Sequence, residues 1–113
     1  PGGDAQLQAT VQYFLNVAVF DMTPQQAVEA PRFLIWSFPD SFWPHVYTPG
    51  RMELEGRFDA ETGQELERRG HNVEWLPLYG GRANNVCGIS IEHATGTLAA
   101  GADLRGEAYA IAR

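Results

Sequence analysis

The sequence contains no lysine, and arginine supplies all eight of its basic side chains. This absence excludes a lysine Schiff base and a lysine-type phosphate clamp. Acidic residues outnumber basic ones, so the formal net charge is −6. Nucleic-acid binding without sequence preference and docking on an anionic membrane both need a basic face. We therefore expect neither nucleic acid nor a membrane among the partners of this chain.

Cysteine is almost as scarce, with Cys87 as the single example. A lone cysteine excludes an internal disulfide but suits either the cytoplasm or the periplasm. Because Cys87 falls in a predicted strand beside Gly88, we expect a small buried side chain rather than a nucleophile. The histidines lack metal-ligand spacing with Cys87 or with carboxylates: His45, His71 and His93. We expect no metal and no cofactor.

The sequence also lacks a signal peptide and an apolar run of membrane length. It begins at Pro1, inside a glycine turn and without an initiator methionine. This beginning suggests a piece of a longer protein, so the lack of a leader carries no information on the compartment.

Hydrophobic residues make up 44% of the chain, which suits one folded domain over residues 1–113. Periodicity and turn residues predict helices early in the chain and antiparallel strands late in it, which is an α+β fold. The predicted helices are residues 5–21, 24–30 and about 59–69, and the predicted strands are residues 33–37, 51–54, 73–76, 86–92, 97–102 and 109–111. A turn at residues 94–96 should join two of these strands into a hairpin.

Capping residues set the predicted helix ends. Asp4 stands at the N-cap position of the first helix, and Asp59 stands at that of the third. Thr23 and Gln26 form a capping box for the second helix, and Gly70 ends the third. The first helix is apolar around much of its circumference, so we expect it to be buried on more than one side and the chain alone to be an incomplete folding unit.

The most informative local feature is the turn at residues 1–4 (Pro-Gly-Gly-Asp), which leads directly into the first helix. Paired glycines let backbone N–H groups face a ligand without interference from a Cβ. At a helix N-terminus these donors favour negative charge, either a bound anion or a transient oxyanion. A plain tight turn is the alternative, and on local sequence alone it is the better explanation.

Further segments, taken in order, change that weighting. Residues 22–33 read Met-Thr-Pro-Gln-Gln-Ala-Val-Glu-Ala-Pro-Arg-Phe, residues 66–73 close a helix with Gly-His-Asn-Val, and residues 95–105 contain Thr-Gly-Thr-Leu and Gly-Ala-Asp-Leu-Arg. With the glycine turn, they closely resemble the γ-glutamyltransferase family. The resemblance covers essentially the whole chain, and Ala-Val-x-Ala-Pro-Arg after a Pro-Gly-Gly turn is a specific combination.

This resemblance implies part of the αββα sandwich of the N-terminal-nucleophile hydrolases, whose precursor cleaves itself into a large and a small subunit. It implies that the chain is the C-terminal part of the small subunit, with the remainder of that subunit and the large subunit as partners. In this family a Thr at the start of the small subunit attacks a γ-glutamyl amide such as glutathione. That Thr lies outside the chain, so the chain alone is expected to be inactive.

Two positions carry over from the family to this sequence, and the next residue departs from it. Gly2 and Gly3 match the paired glycines whose N–H groups form the oxyanion hole, and Asp4 becomes a candidate substrate-binding residue. Asp4 stands where true transpeptidases commonly have Ser, and Leu104 stands where Pro is usual. Asp4 and residues 41–44 (Ser-Phe-Trp-Pro) look more like the acylase-like branch of the family. This likeness implies that the substrate could carry a related acyl group in place of γ-glutamyl.

The remaining candidates have ordinary structural explanations. An acidic stretch fits a solvated face rather than paired catalytic carboxylates: Glu53, Glu55, Asp59 and Glu61. Residues 80–82 (Gly-Gly-Arg) fit a flexible connection better than an anion nest. The aromatic loop, residues 38–47, could equally line a pocket or cover the core. A non-catalytic α+β interaction domain with a structural glycine turn is therefore the alternative function.

Overall fold

The computed structural model describes residues 2–80 and 85–111. In chain order the elements are α1 (Ala5–Ala18), α2 (Pro24–Glu29), β1 (Phe33–Ile35), β2 (Arg51–Glu55), α3 (Ala60–Arg68), β3 (Asn72–Leu76), β4 (Cys87–Glu92) and β5 (Thr97–Ala102). This arrangement confirms the predicted α+β class. Of the candidate anion nest at residues 80–82, Gly81 and Arg82 lie outside the described residues.

A three-stranded sheet has the order β1-β2-β3. β1 and β2 pair antiparallel, with Leu34 opposite Glu53. β2 and β3 pair in parallel, with Met52 opposite Val73, because α3 carries the chain back to the same end of the sheet. The predicted strand at residues 33–37 is shorter than expected and ends at Ile35.

The hairpin predicted near the end of the chain is confirmed. β4 and β5 pair antiparallel, with Cys87 opposite Ala102. Gly96 has a φ of +71°, and its amide donates to the Glu92 carbonyl at 2.7 Å. The hairpin packs against α2, where the Pro24 carbonyl leaves no room for a Cβ on Gly101.

The first helix ends three residues earlier than predicted. The amides of Val19 and Phe20 both donate to the Leu15 carbonyl, so the regular helical ladder stops there. Asp21 then takes a φ of +54° and turns the chain toward α2. Aspartate tolerates this left-handed conformation better than most residues, which makes the position a natural end.

The polar side of α1 faces the sheet. The Gln8 side-chain amide accepts from the Ile35 N–H at 2.9 Å and donates to the Ile35 carbonyl at 3.1 Å. Gln12 makes the same two-way contact with Phe33, at 3.1 and 2.9 Å. The two glutamines thereby satisfy the edge of β1 that faces away from β2, an edge which would otherwise be open to another strand.

The apolar side of α1 is correspondingly open. Leu7 is 77% exposed, and Val11 and Phe14 are also exposed, whereas Ala5 and Ala9 are buried. Within the described residues α1 is therefore buried on one side only, and its exposed apolar side fits the expectation that this chain alone leaves the helix incompletely covered. Gln8 and Gln12 provide the physical reason, because hydrogen bonds to a strand edge turn the polar stripe inward.

The core is small and centres on β2. Leu34 and Leu54 are almost fully buried, and Val28 of α2 packs as deeply. The acidic stretch does not form a solvated face as expected, because Glu53 and Glu55 are buried, Glu55 completely. β2 is buried on successive residues, as a strand with neighbours on both sides and both faces must be.

Helix α3 confirms one capping prediction and explains an unfavourable residue. Gly70 has a φ of +94°, and the His71 amide donates to the Leu66 carbonyl at 3.1 Å. Gly63 lies under the ring of Trp75, which leaves no space for a Cβ. Close packing of helix on strand therefore offsets the roughly 1 kcal/mol that glycine costs inside a helix.

Two predictions for the last third of the chain are wrong. Residues 109–111 form no strand: Tyr109 and Ile111 are exposed, and no described strand pairs with them. Cys87 is exposed rather than buried. It shares the open face of the hairpin with Ile89 and Ile91, while Gly88 lies on the covered face against the Tyr13 ring.

Candidate functional site

The glycine turn bends the chain sharply into α1. Gly2 has a φ of +134° and Gly3 a φ of +53°, conformations that side-chain-bearing residues rarely adopt. The Gly2 carbonyl accepts from the Ala5 N–H at 3.0 Å, and the Gly3 carbonyl accepts from the Gln6 N–H at 3.1 Å. These bonds fix the turn as the first winding of the helix.

The N–H groups of the turn, unlike its carbonyls, take no part in the hydrogen bonds that begin α1. Among the described residues, the amides of Gly2, Gly3 and Asp4 have no hydrogen-bond acceptor. Gly3 and Asp4 have φ angles of opposite sign, +53° and −66°, the alternation found in backbone nests that bind anions. Free donors at the positive end of a helix can stabilise a negative oxygen.

Asp4 occupies the predicted N-cap position, but its side chain does not cap the helix. The backbone of Asp4 is already helical, and its carboxylate accepts no hydrogen bond from the first turn of α1. One carboxylate oxygen instead accepts from the Ser41 N–H at 2.7 Å, and the other accepts from the Ser41 hydroxyl. The hydroxyl and amide of Ser41 hold the pKa of Asp4 below its usual value.

The aromatic loop meets the glycine turn through the next residue. The ring of Phe42 lies so close to Gly3 that a Cβ there would be 3.0 Å from Cε2 of the ring. Phe42 and Trp43 are nonetheless largely exposed. The loop therefore does not cover the core of this chain, and it borders the glycine turn.

A buried group of charges, here called the ion cluster, lies where α2 and β2 meet residues 103–105, which follow β5 and are here called the closing segment. The cluster consists of Arg32, Glu55, Asp103 and Arg105. The Arg105 guanidinium binds both oxygens of Glu55, with Nη2 2.7 Å from Oε2. Asp103 bridges the arginines: its Oδ1 lies 2.9 Å from Arg105 and its Oδ2 lies 2.6 Å from Arg32. Two carboxylates thus neutralise two guanidiniums.

Backbone groups and one further arginine complete the ion cluster. Arg105 donates to the carbonyls of Val28 at 2.7 Å and Ala30 at 2.8 Å, which are exposed by the end of α2. Arg57 lies 2.8 Å from Glu55 and stacks on the Tyr79 ring at 3.9 Å. The cluster therefore fastens the closing segment to α2 and β2.

Hydrogen bonds keep the cluster's aspartate ionised. Burial raises the pKa of Asp103, but hydrogen bonds from the Val86 and Arg105 amides and the charge of Arg32 outweigh burial and lower the pKa below its usual value. The carboxylate thus contributes to stability above about pH 3.9, the ordinary aspartate value, and this contribution is lost as pH falls through the lower folded value.

The sequence did not predict the ion cluster. Arg32, Asp103 and Arg105 entered only as part of the family resemblance, and Glu55 was assigned to a solvated face. The available signal was the position of the arginines, one directly after an Ala-Pro helix stop and one two residues after an aspartate. Such fixed, short-range geometry suits a guanidinium that must bind carboxylates through two nitrogens.

Among residues 2–80 and 85–111, no three side chains of His, Cys, Asp or Glu are grouped to hold a metal ion. The His45 ring nitrogen Nδ1 lies 2.8 Å from the Asp40 carbonyl inside the aromatic loop. In the same described part of the chain, no helix has the length and apolarity needed to cross a membrane.

An open apolar groove runs along α1 beside the edge of β1. It encloses about 500 Å³ and is lined by residues of both elements, among them Leu7, Val11, Leu15, Phe33 and Ile35. Its walls carry few polar atoms other than the Gln8 and Gln12 amides, which are already bonded to β1. The groove is suited to apolar side chains.

Three relatives place the chain among known proteins. It is 32% identical over 110 residues to the glutathione hydrolase-like YwrD proenzyme of Bacillus subtilis (strain 168), covering 97% of this chain and 20% of that protein. The solved structure of LmbA2991HD is 36% identical with a TM-score of 0.91, covering all of this chain and 20% of the other. Cephalosporin acylase from Bacillus halodurans is 27% identical with a TM-score of 0.69, covering 86% of this chain and 16% of that one.

The chain thus spans about a fifth of the length of the relatives it matches. The family model described as gamma-glutamyltranspeptidase matches residues 1–113. Because that match covers every residue, the chain belongs to the γ-glutamyltranspeptidase family, and its α+β structure is part of the αββα sandwich of the N-terminal-nucleophile hydrolases.

Proposed function

We propose that this chain is the C-terminal part of the small subunit of an enzyme that cleaves or transfers γ-glutamyl or related acyl amides. The nucleophile is a Thr outside this chain, exposed when a precursor cleaves itself. The Bacillus subtilis relative is named a glutathione hydrolase-like proenzyme, which supports both glutathione as a substrate and a processed precursor.

The observation that carries the proposal is the set of free amides at the glycine turn. When a nucleophile attacks an amide carbonyl, negative charge develops on the carbonyl oxygen. The N–H groups of Gly2 and Gly3 are the donors that stabilise this oxyanion, since neither is used within the described chain. Asp4 follows them directly and belongs to the same site.

The apolar surfaces support the proposed partners. Leu7, Val11 and Phe14 of α1 are exposed, and so are Ile89 and Ile91 on the open face of the hairpin. Clusters of exposed apolar side chains commonly mark contacts with another protein. We assign these surfaces to contacts with the remainder of the small subunit and with the large subunit of the same precursor.

The substrate can be tested directly in the full-length protein. Purified enzyme should release p-nitroaniline from γ-glutamyl-p-nitroanilide or from glutaryl-p-nitroanilide, which lacks the α-amino group. Faster turnover of the glutaryl compound would place the enzyme with the acylases, as residues 41–44 and Asp4 suggest. Residues 1–113 alone should show no turnover above a heat-treated control, because the nucleophile is missing.

The alternative function is a non-catalytic interaction domain, and the exposed apolar faces are the observation in its favour. Both anilides would then stay intact with the full-length protein, and no Thr would be found at a processed N-terminus. N-terminal sequencing of the mature subunits separates the two functions. A small subunit that begins with Thr supports the enzyme, and an unprocessed inactive chain supports the interaction domain.

A further inference from the structure

The Asp4–Ser41 contact joins two parts of the chain that are 37 residues apart in sequence. A side chain at an N-cap position ordinarily bonds to the amides of its own helix. Both oxygens of the Asp4 carboxylate instead accept hydrogen bonds from one residue of the aromatic loop, Ser41. Such two-point contact fixes orientation as well as distance.

Hydrogen bonds within the aromatic loop tie its residues to one another. The Phe42 N–H donates to the Asp40 side chain at 2.9 Å, and the Asp40 N–H donates to the Val46 carbonyl at 2.9 Å. The His45 amide donates to the Phe42 carbonyl at 2.7 Å. A tether at Ser41 therefore controls the placement of the residues that follow it.

The first of those residues faces the glycine turn. A Cβ on Gly3 would lie 3.0 Å from Cε2 of the Phe42 ring, which is closer than an ordinary van der Waals contact. An acyl group whose carbonyl oxygen meets the Gly3 amide would lie close to this ring, because the ring borders the same residue. The loop can thus limit how the acyl carbonyl sits on its donors.

We propose that Asp4 is a positioning residue: through Ser41 it holds the aromatic loop, and with it Phe42, against the glycine turn, and so orients the acyl carbonyl on the oxyanion donors. This inference rests on the proposed function of the turn. It assigns Asp4 a role that differs from direct substrate binding. The lowered pKa of Asp4 agrees with the geometry, because an ionised carboxylate is the acceptor that both Ser41 donors require.

The first test measures the tether without using activity. In the full-length protein, hydrogen exchange followed by mass spectrometry reports on peptides that span residues 38–47. Exchange should be faster in Asp4→Ala than in the wild type. It should return toward the wild-type rate in Asp4→Asn, whose side-chain oxygen still accepts from the Ser41 N–H. Unchanged exchange in Asp4→Ala would overturn the tether.

The second test measures how the Asp4–Ser41 tether affects the reaction rate, with the anilide that the wild type prefers as the substrate. Misplaced reacting groups cost about tenfold or more, so kcat of Asp4→Ala should fall by about that factor, with KM changing less. Ser41→Ala loses one of two bonds and should fall about threefold. The double variant should be no worse than Asp4→Ala, because both substitutions break one contact.

Glu61→Ala is the matched control. Glu61 is exposed and lies in the first turn of α3, so its removal also takes an acid from a helix N-terminus. It should leave both exchange and kcat unchanged. A loss in Asp4→Ala that simply adds to that of Ser41→Ala, or faster exchange with unchanged kinetics, would overturn the positioning role. An inactive wild type would reject the proposed function and this catalytic role together, while exchange would still report whether the tether exists.

Discussion

The ion cluster and the glycine turn differ in whether their polar groups are paired within the described chain. In the cluster, the charges of Glu55 and Arg105 are buried and meet each other at two points inside the chain. At the turn, the amides of Gly2 and Gly3 are left without an acceptor among the described residues. The first arrangement is complete in itself, whereas the second is complete only when something else supplies a negative oxygen.

This difference separates stability from function within one short chain. A buried charge that loses its partner destabilises the fold strongly, because it can no longer be solvated. An amide held free at a helix N-terminus adds little to the fold but can stabilise charge that develops during a reaction. We therefore expect substitutions in the two regions to act on different measured quantities.

The largest effect should come from Glu55→Ala. This change removes the carboxylate that binds Arg105 and Arg57, and it leaves Arg105 buried with a reduced set of partners. Breaking a buried ion pair in this way costs about 3–5 kcal/mol of unfolding free energy. The midpoint of urea unfolding of the full-length protein measures the loss.

Glu61→Ala again provides the control, because Glu61 is exposed and should change the unfolding free energy by less than about 0.5 kcal/mol. If Glu55→Ala were as mild as this control, the cluster would not hold the closing segment in place. The contrast between a self-contained cluster and an open turn would then be lost.

The next effect concerns the turn and should appear in the reaction rate. Gly3→Val adds a branched side chain at a residue whose φ is +53°. The Cβ of that side chain would lie 3.0 Å from Cε2 of the Phe42 ring. If the turn is an oxyanion hole, kcat should fall about 10²-fold or more, which corresponds to roughly 2.7–4 kcal/mol of transition-state stabilisation, and KM should change less.

The result for Gly3→Val needs kcat per titrated active site together with the melting temperature. A variant that melts earlier but keeps a normal kcat in its folded fraction would reduce the turn to a structural feature. Gly3→Ala in the background of Phe42→Ala separates the two sources of the effect. The double variant is compared with Phe42→Ala alone, because Phe42 itself has a proposed role in orienting the acyl carbonyl. Without the ring only backbone strain remains, so kcat should fall less between these two variants than between the wild type and Gly3→Val.

Local chemistry made most of the fold predictable from the sequence. The capping box of Thr23, the stop at Gly70 and the hairpin around Gly96 each depend on residues a few positions apart, and each is confirmed. The direction of the helix faces was not predictable in the same way. The apolar stripe of α1 was recognised, but the hydrogen bonds of Gln8 and Gln12 to β1 decide that it points outward.

In the candidate site, too, only the features that depend on neighbouring residues were predictable from the sequence. Gly2 and Gly3 could be identified because glycine pairs before a helix have a local meaning. The Asp4–Ser41 contact and the ion cluster join residues 37 and 50 positions apart, and no short-range pattern reports on such contacts. Glu55 was assigned to the wrong environment for this reason, since an acidic residue in a short strand usually faces solvent.

The smallest effect should come from the helix that supports the ion cluster. Thr23 caps α2: its hydroxyl accepts from the Gln26 N–H at 3.3 Å, and the Gln26 side chain accepts from the Thr23 N–H at 2.9 Å. The other end of this helix presents the Val28 carbonyl to Arg105. Thr23→Ala removes the cap and should lower the unfolding free energy by about 1 kcal/mol, whereas Thr23→Ser keeps the hydroxyl and should lower it by much less.

Because the helix ends at the cluster and not at the glycine turn, kcat of the folded Thr23→Ala protein should stay within about twofold of the wild type. This change is well below the tenfold that about 1.4 kcal/mol in the activation barrier would produce. Urea midpoints and kcat measured on the same preparations decide the matter. If Thr23→Ser were as unstable as Thr23→Ala, the cap would not be the cause. If kcat fell with the cap, the cluster and the turn would be coupled, and the separation of stability from function in this chain would fail.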